Sequence, residues 1–179
     1  MGKDFESRDE FEKFVDGFRG VATLVRENSP DYIFAPVVGA VPFVDILSIV
    51  DQNFPLEDVC YLPNSSRFGN RDELMSTWYR NFFDSNEDGT PMKIVCLDEV
   101  LSGASAFKGY KQFRKGVDDR AALKASAGGD IASFREDLIK RMGYQVIGVE
   151  EGEHAKTKKF RGMVEKGLLV QLNLIMFLQ

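Results

Sequence analysis

The chain has 179 residues, 44% of them hydrophobic and 28% charged, which suits a globular protein with one substantial core. Its formal net charge of −5 gives no electrostatic reason to expect broad nucleic-acid binding. No apolar run approaches the ~20 residues of a membrane span, so a membrane protein is not expected either.

Cysteine and histidine are too few for the commoner metal sites. Cys60 and Cys96 lie in apolar runs, where they are interpreted as buried, reduced thiols of a cytoplasmic protein. His154 is the single histidine and no C-x-x-C pair occurs, so neither structural zinc nor a histidine-dependent nucleophile is expected. The N-terminal residues lack the apolar core of a signal peptide, which also favours a cytoplasmic location.

Helical and strand patterns alternate in the first half of the chain. Ser7 and Glu10 form a capping box that begins an amphipathic helix, and Asn28-Ser29-Pro30 ends it. The predicted elements that follow are, in chain order, a buried strand over 31–38, a helix over 42–50, a strand centred on 59–62, a polar loop over 63–71 and a helix over 72–83.

The same alternation continues in the second half. The predicted elements are a strand that includes 94–97, a helix over 104–114 ending near Gly116, and a mobile loop or insertion over 117–130 with a hinge at Gly128-Gly129. After these come a helix from 131 closed by Gly143, a strand over 144–149, a helix over 160–166 and an apolar strand pair or tail over 168–179. The order predicts an α/β fold, with a mostly parallel sheet and helices on both faces, in one domain over 1–179.

The most informative stretch begins with an apolar run at 94–97. It leads into two adjacent carboxylates, Asp98 and Glu99, then two apolar residues, and then the small residues Ser102, Gly103, Ala104, Ser105 and Ala106. Ligands of open parallel sheets bind at the carboxyl ends of strands. Carboxylates accept hydrogen bonds from sugar hydroxyls, and amides at a helix N-terminus suit a phosphate. The stretch therefore predicts a sugar-phosphate site, with simple capping of the next helix as the alternative.

Residues 94–106 resemble the signature of the type I phosphoribosyltransferases, in which a strand, two acids, two apolar residues and a Ser/Thr/Gly loop lead into a helix. The resemblance implies that Asp98 and Glu99 hold the ribose hydroxyls of phosphoribosyl pyrophosphate (PRPP). It implies that the small residues from Ser102 to Ala106 wrap the 5-phosphate. It also implies Mg²⁺ as cofactor, to which the two acids would contribute indirectly.

Two further segments correspond to loops of that family. Val38, Gly39 and Ala40 match the pyrophosphate-binding loop, and a simple strand-to-helix turn is the alternative. Arg67 and Arg71 fall where the family has a mobile catalytic loop, and there they would assist the leaving pyrophosphate. Solvated loop arginines are the alternative for both.

The resemblance, which covers residues 31–150 in outline, implies an enzyme that transfers phosphoribosyl from PRPP to a nitrogen base. Residues 1–28 and 150–179 would supply accessory elements. The alternative is an inactive module of the same fold that senses PRPP or a nucleotide, or binds a protein partner. It is favoured by a short phosphate loop, in which Gly103 follows Ser102 at once, and by a first loop without basic residues. A sugar phosphate or nucleotide is the expected ligand, and homo-oligomerisation is left open.

Overall fold

A computed structural model describes residues 7–37, 39–65, 67–86, 89–100, 104–150, 158–166 and 169–172. Within these ranges the side chains of 98–100, 104–106, 148–150, 158–160, 163 and 169–172 lie outside the description. The elements are α1 (Arg8–Asn28), β1 (Tyr32–Pro36), α2 (Val41–Val50), β2 (Val59–Leu62), α3 (Arg71–Ser85), β3 (Met92–Val100), α4 (Ala104–Ser126), α5 (Ile131–Arg141), β4 (Met142–Glu150), α6 (Lys158–Glu165) and β5 (Leu169–Leu172).

The five strands form one sheet in the order β2-β1-β3-β4-β5, and every neighbouring pair is parallel. The predicted α/β class with a mostly parallel sheet is therefore confirmed. No helix in the described ranges is long and apolar enough to cross a membrane.

Alternate residues of the central strands pack into two separate hydrophobic cores, one on each face of the sheet. Ile33 and Ala35 of β1 face α1 and α2, in a core that also takes Val95 and Leu97 of β3. Phe34, between them in sequence, faces α3, α4 and α5 on the opposite side. Because both faces of the sheet are covered, the central strands are apolar on both sides, which is why they appear as continuous hydrophobic runs in the sequence.

Helix α1 begins as the capping box predicts. The Ser7 side chain accepts a hydrogen bond from the Glu10 amide at 3.3 Å, and the Arg8–Asn28 helix follows directly. Phe18, Val21, Ala22 and Val25 of this helix are buried against the sheet. Phe11, which shares the predicted apolar stripe, is 49% exposed, so the stripe reaches the core only from its middle onward.

The predicted loop over 117–130 is wrong, because α4 continues to Ser126. Val117 and Ala121 are fully buried in the core. A Cβ at Gly116 would lie 3.0 Å from atoms of Tyr79 and Phe83, so this glycine permits close approach of α3 to α4 and does not end a helix. The chain turns after α4, where Gly128 and Gly129 have φ of 111° and 137°.

Two other boundaries differ from the sequence predictions. Gly143 does not close α5, since that helix ends at Arg141 and β4 begins at Met142. Arg71 is the first residue of α3 and not a loop residue. In both places the helix boundary lies within a residue or two of the predicted boundary, and local sequence signals do not resolve a difference of that size.

We expect Gly116→Ala to destabilise the protein by about 1–2 kcal/mol. Alanine favours a helix interior by roughly 1 kcal/mol over glycine, but crowding a packed interface costs about 1–3 kcal/mol. Gly20 of α1 is the matched control, because a Cβ there has nothing within 4 Å and Gly20→Ala should stabilise the helix. Chemical denaturation of both variants measures the difference, and a stabilised Gly116→Ala would contradict the close helix contact.

The Tyr79 hydroxyl is buried without a hydrogen-bond partner among the described residues. Burial, and secondarily Cys96, raises the pKa of Tyr79 well above its ordinary value. The folded protein thus holds the phenol proton more tightly than the unfolded chain does. The contribution of this tighter proton binding to the free energy of unfolding is complete below the unfolded pKa of about 10, and it is lost as pH rises through the folded pKa.

We therefore expect Tyr79→Phe to equal or exceed the wild type in stability at pH 7, by up to about 1 kcal/mol. Its stability should also decline less than that of the wild type above pH ~10. Denaturation curves at pH 7 and at alkaline pH measure both effects. Tyr61→Phe is the control, because Tyr61 is exposed. A large loss for Tyr79→Phe at pH 7 would mean that the hydroxyl is bonded after all.

Candidate functional site

The candidate site lies at the carboxyl edge of the sheet, between β1 and β3. The chain passes from β1 to β2 through α2 on one face, and from β2 to β3 through α3 on the other. Strand order therefore reverses between β1 and β3, which makes the edge beyond the carboxyl ends of these two strands a topological switch point. Ligands of doubly wound sheets bind at such a switch point.

Asp98 and Glu99 belong to the last three residues of β3. Their backbones pair with Gly148 and Val149 of β4, and this ladder continues to the end of β3. Because Phe34 pairs with Cys96, Asp98 is level with the end of β1 at Pro36. The backbone thus brings the predicted acid pair to the carboxyl edge beside the switch point, as the sequence predicts.

The small-residue segment leads from β3 into α4. Ser102 and Gly103 lie outside the described residues, whereas Ala104, Ser105 and Ala106 are the first three residues of α4. The predicted order of strand, acids and helix start is therefore present in the backbone. The contacts of the phosphate loop itself remain a prediction.

The predicted pyrophosphate loop connects β1 to α2. Val38 lies outside the described residues, and Gly39 is exposed. Ala40 is fully buried, its N–H donates to the Pro36 carbonyl at 2.9 Å, and its own carbonyl accepts from Val44 at 2.8 Å. The Ala40 amide is thus engaged in the turn that begins α2, in keeping with the strand-to-helix alternative.

Arg67 is exposed on the loop after β2 and forms no ion pair with a described residue. Buried Ser65 anchors the loop, because its hydroxyl accepts from the Arg67 amide and its carbonyl from the Phe68 amide, both at 3.2 Å. The Asn64 side-chain nitrogen lies 3.6 Å from where a Cβ of Gly109 in α4 would be. The loop that carries Arg67 therefore lies beside the helix that follows Asp98 and Glu99.

Arg71 is held by its own neighbour at the start of α3. Its Nε and Nη2 both donate to Asp72 Oδ1 at 3.3 Å, and its side chain is only 17% exposed. Gln112 of α4 donates to the same oxygen at 3.3 Å. One carboxylate oxygen thus links α3 to α4, and sequence reasoning missed both Asp72 and Gln112 because the link joins segments forty residues apart.

Cys60 is unsuited to nucleophilic chemistry. Burial and the nearby Asp58 raise the pKa of its thiol, so the reactive thiolate is scarce at neutral pH. Both cysteines are free thiols, with Cys96 buried and Cys60 half-buried. Among the side chains that the structure describes, no group of three or more His, Cys, Asp and Glu could hold a metal ion.

No protein-family model and no curated protein matches this chain. Its function is therefore inferred from its own residues and their placement.

Proposed function

We propose that this protein binds PRPP at the carboxyl end of β3 and transfers its phosphoribosyl group to a nitrogen base, releasing pyrophosphate. The observation that carries the proposal is the backbone position of Asp98 and Glu99. They end a central strand level with Pro36, beside the switch point of a parallel sheet, and α4 begins five residues after Glu99. Ligands of doubly wound folds bind at this position.

In the proposed reaction the bond from ribose C1 to pyrophosphate breaks as a bond from C1 to the base nitrogen forms. Asp98 and Glu99 accept hydrogen bonds from the ribose hydroxyls and favour the positive charge that develops on the ring. The segment leading into α4 takes the 5-phosphate at a helix N-terminus. Catalysis by such a site is chiefly positioning of the sugar and neutralisation of the leaving group.

The acid pair fits a magnesium ion, which prefers oxygen ligands and often binds through one or two carboxylates and substrate phosphates. Bound with PRPP, the ion would offset the negative charge of the pyrophosphate. Asp98 and Glu99 would contribute to magnesium binding indirectly, by holding the ribose of PRPP.

An inactive binding module on the same fold is the second candidate. Two observations favour it: the Ala40 amide is bonded to Pro36, and the Arg71 guanidinium is bonded to Asp72. Both groups would otherwise be candidates to contact the pyrophosphate. In this alternative the site binds PRPP or a nucleotide without turnover.

Pyrophosphate release by the wild-type protein distinguishes the two candidates, and Arg67→Ala tests the role of Arg67 in turnover. Loss of a charge-assisted hydrogen bond to the leaving group costs about 1.5–3 kcal/mol, so we expect turnover to fall by roughly 10- to 100-fold while PRPP affinity changes less. Pyrophosphate release with PRPP, Mg²⁺ and a panel of nitrogen bases measures turnover, and calorimetry measures binding. Arg19→Ala is the control, since this exposed arginine pairs only with exposed Asp16 among the described residues.

The outcomes separate the alternatives. If wild-type protein binds PRPP but does not release pyrophosphate with any base of the panel, the inactive module is supported. If wild-type protein turns over and Arg67→Ala turns over equally fast, Arg67 is a solvated loop residue and another group assists the leaving pyrophosphate.

A further inference from the structure

A second concave site lies between α3 and α4, separate from the carboxyl edge of the sheet. It has a volume of about 340 Å³, at the lower end of the range for small-molecule pockets. Its lining consists of Ser76, Arg80, Phe83, Gly116, Asp119, Arg120 and Leu123, and we call it the α3–α4 groove. Gly116 is twelve residues after the start of α4, or about 18 Å along the helix, so the groove lies far from the acid pair of β3.

Phe83 and Leu123 are the apolar side chains that line the groove. At Gly116 the two helices approach so closely that a Cβ would lie 3.0 Å from Tyr79 and Phe83. Phe83 is buried beneath the opening, while Leu123 at its side is 54% exposed. The apolar surface that a ligand in the groove can cover therefore belongs mainly to Leu123.

Positive charge exceeds negative charge around the groove. The Arg120 guanidinium is 9% exposed and pairs with Asp84 at 2.6 Å, and Lys115 pairs with Asp119. Arg80 is exposed and has no ion pair with a described residue. The charged residues that line the groove are therefore two arginines and one carboxylate, Asp119, on a chain whose formal net charge is −5. This local excess favours an anionic ligand.

We infer that the α3–α4 groove binds a small anionic molecule that carries an aromatic ring, such as an aryl phosphate. Arg80 pairs with the anion, because a guanidinium forms two parallel hydrogen bonds with a phosphate or carboxylate. The ring packs against Leu123, whose apolar surface is otherwise largely in water. This ligand site is independent of the proposed PRPP site.

Phenyl phosphate is the probe that tests this inference. Titration of ¹⁵N-labelled protein should give saturable shifts at the backbone amides of Ser76, Arg80 and Gly116. Arg80→Ala should weaken binding about tenfold, as expected for loss of a charged hydrogen bond. Leu123→Ala should weaken it by a smaller factor, and inorganic phosphate, which lacks the ring, should bind more weakly than phenyl phosphate.

Two controls separate this groove from the carboxyl edge. Arg19→Ala removes an exposed arginine on α1 and should leave phenyl phosphate affinity unchanged. Asp98→Asn with Glu99→Gln should leave it unchanged as well. Absence of saturable binding at millimolar probe, equal affinity in Arg80→Ala, or shifts confined to the carboxyl edge would each overturn the inference. Arg80 and Leu123 are exposed, so both variants should remain folded.

Discussion

Replacement of Asp98 by asparagine together with Glu99 by glutamine is expected to weaken binding of Mg²⁺ and PRPP by at least about 100-fold. Each carboxylate is proposed to accept hydrogen bonds from the ribose, and a hydrogen bond to a charged group is worth about 1.5–3 kcal/mol. The amide side chains keep the shape of the acids but lose the charge. Isothermal titration calorimetry measures the affinity, and thermal unfolding shows whether the variant is folded.

A control at another acid pair shows whether the charge itself or its position matters. Asp9 and Glu10 are adjacent carboxylates in the first turn of α1, and both are exposed. Asp9→Asn with Glu10→Gln should bind PRPP as the wild type does. If the β3 acids only cap a helix, their variant should lose about 1 kcal/mol of stability and no affinity. Equal PRPP affinity in that variant would remove the acids from the site.

Phe34→Ala is expected to produce the largest loss of stability, about 3–5 kcal/mol. Phe34 is fully buried in β1, and its ring lies 5.1 Å from the rings of both Trp78 and Phe82. It also contacts Tyr144 of β4 at 6.4 Å, so it joins the sheet to α3 and one strand to another. The free energy of unfolding of a native protein is typically about 5–15 kcal/mol, so a loss of this size would leave much of the protein unfolded in mild denaturant.

Phe11→Ala provides the matched control, because Phe11 is half exposed on α1. Its replacement removes the same atoms while vacating little core volume, so we expect a loss below about 1 kcal/mol. Urea denaturation of the two variants measures both values. Similar losses for Phe11→Ala and Phe34→Ala would contradict the placement of Phe34 at the centre of the core.

The sequence predicts the sheet well because the central strands are buried on both faces. Ile33, Phe34 and Ala35 form an apolar run of the length of a strand, and no helix of such length is stable. The start of α1 is predicted equally well, since the Ser7 capping box is a local interaction. In these places local pattern and tertiary structure agree.

The sequence fails where a tertiary contact determines what a residue does. Gly116 has the features of a helix end, yet its role is to let α3 and α4 touch. The sequence does not predict the hydrogen bonds that link Arg71 and Asp72 to Gln112, because they depend on how two helices that are distant in sequence pack together. The position of the acid pair is predictable because a strand, two acids and a helix start occur in sequence order.

The most direct test of a PRPP site at the end of β3 is calorimetric titration of wild-type protein with PRPP, with and without Mg²⁺. Ribose 5-phosphate and nucleoside monophosphates serve as comparison ligands. The proposal predicts saturable PRPP binding that strengthens with magnesium and exceeds that of ribose 5-phosphate. No binding of PRPP, in either the presence or the absence of Mg²⁺, would contradict it.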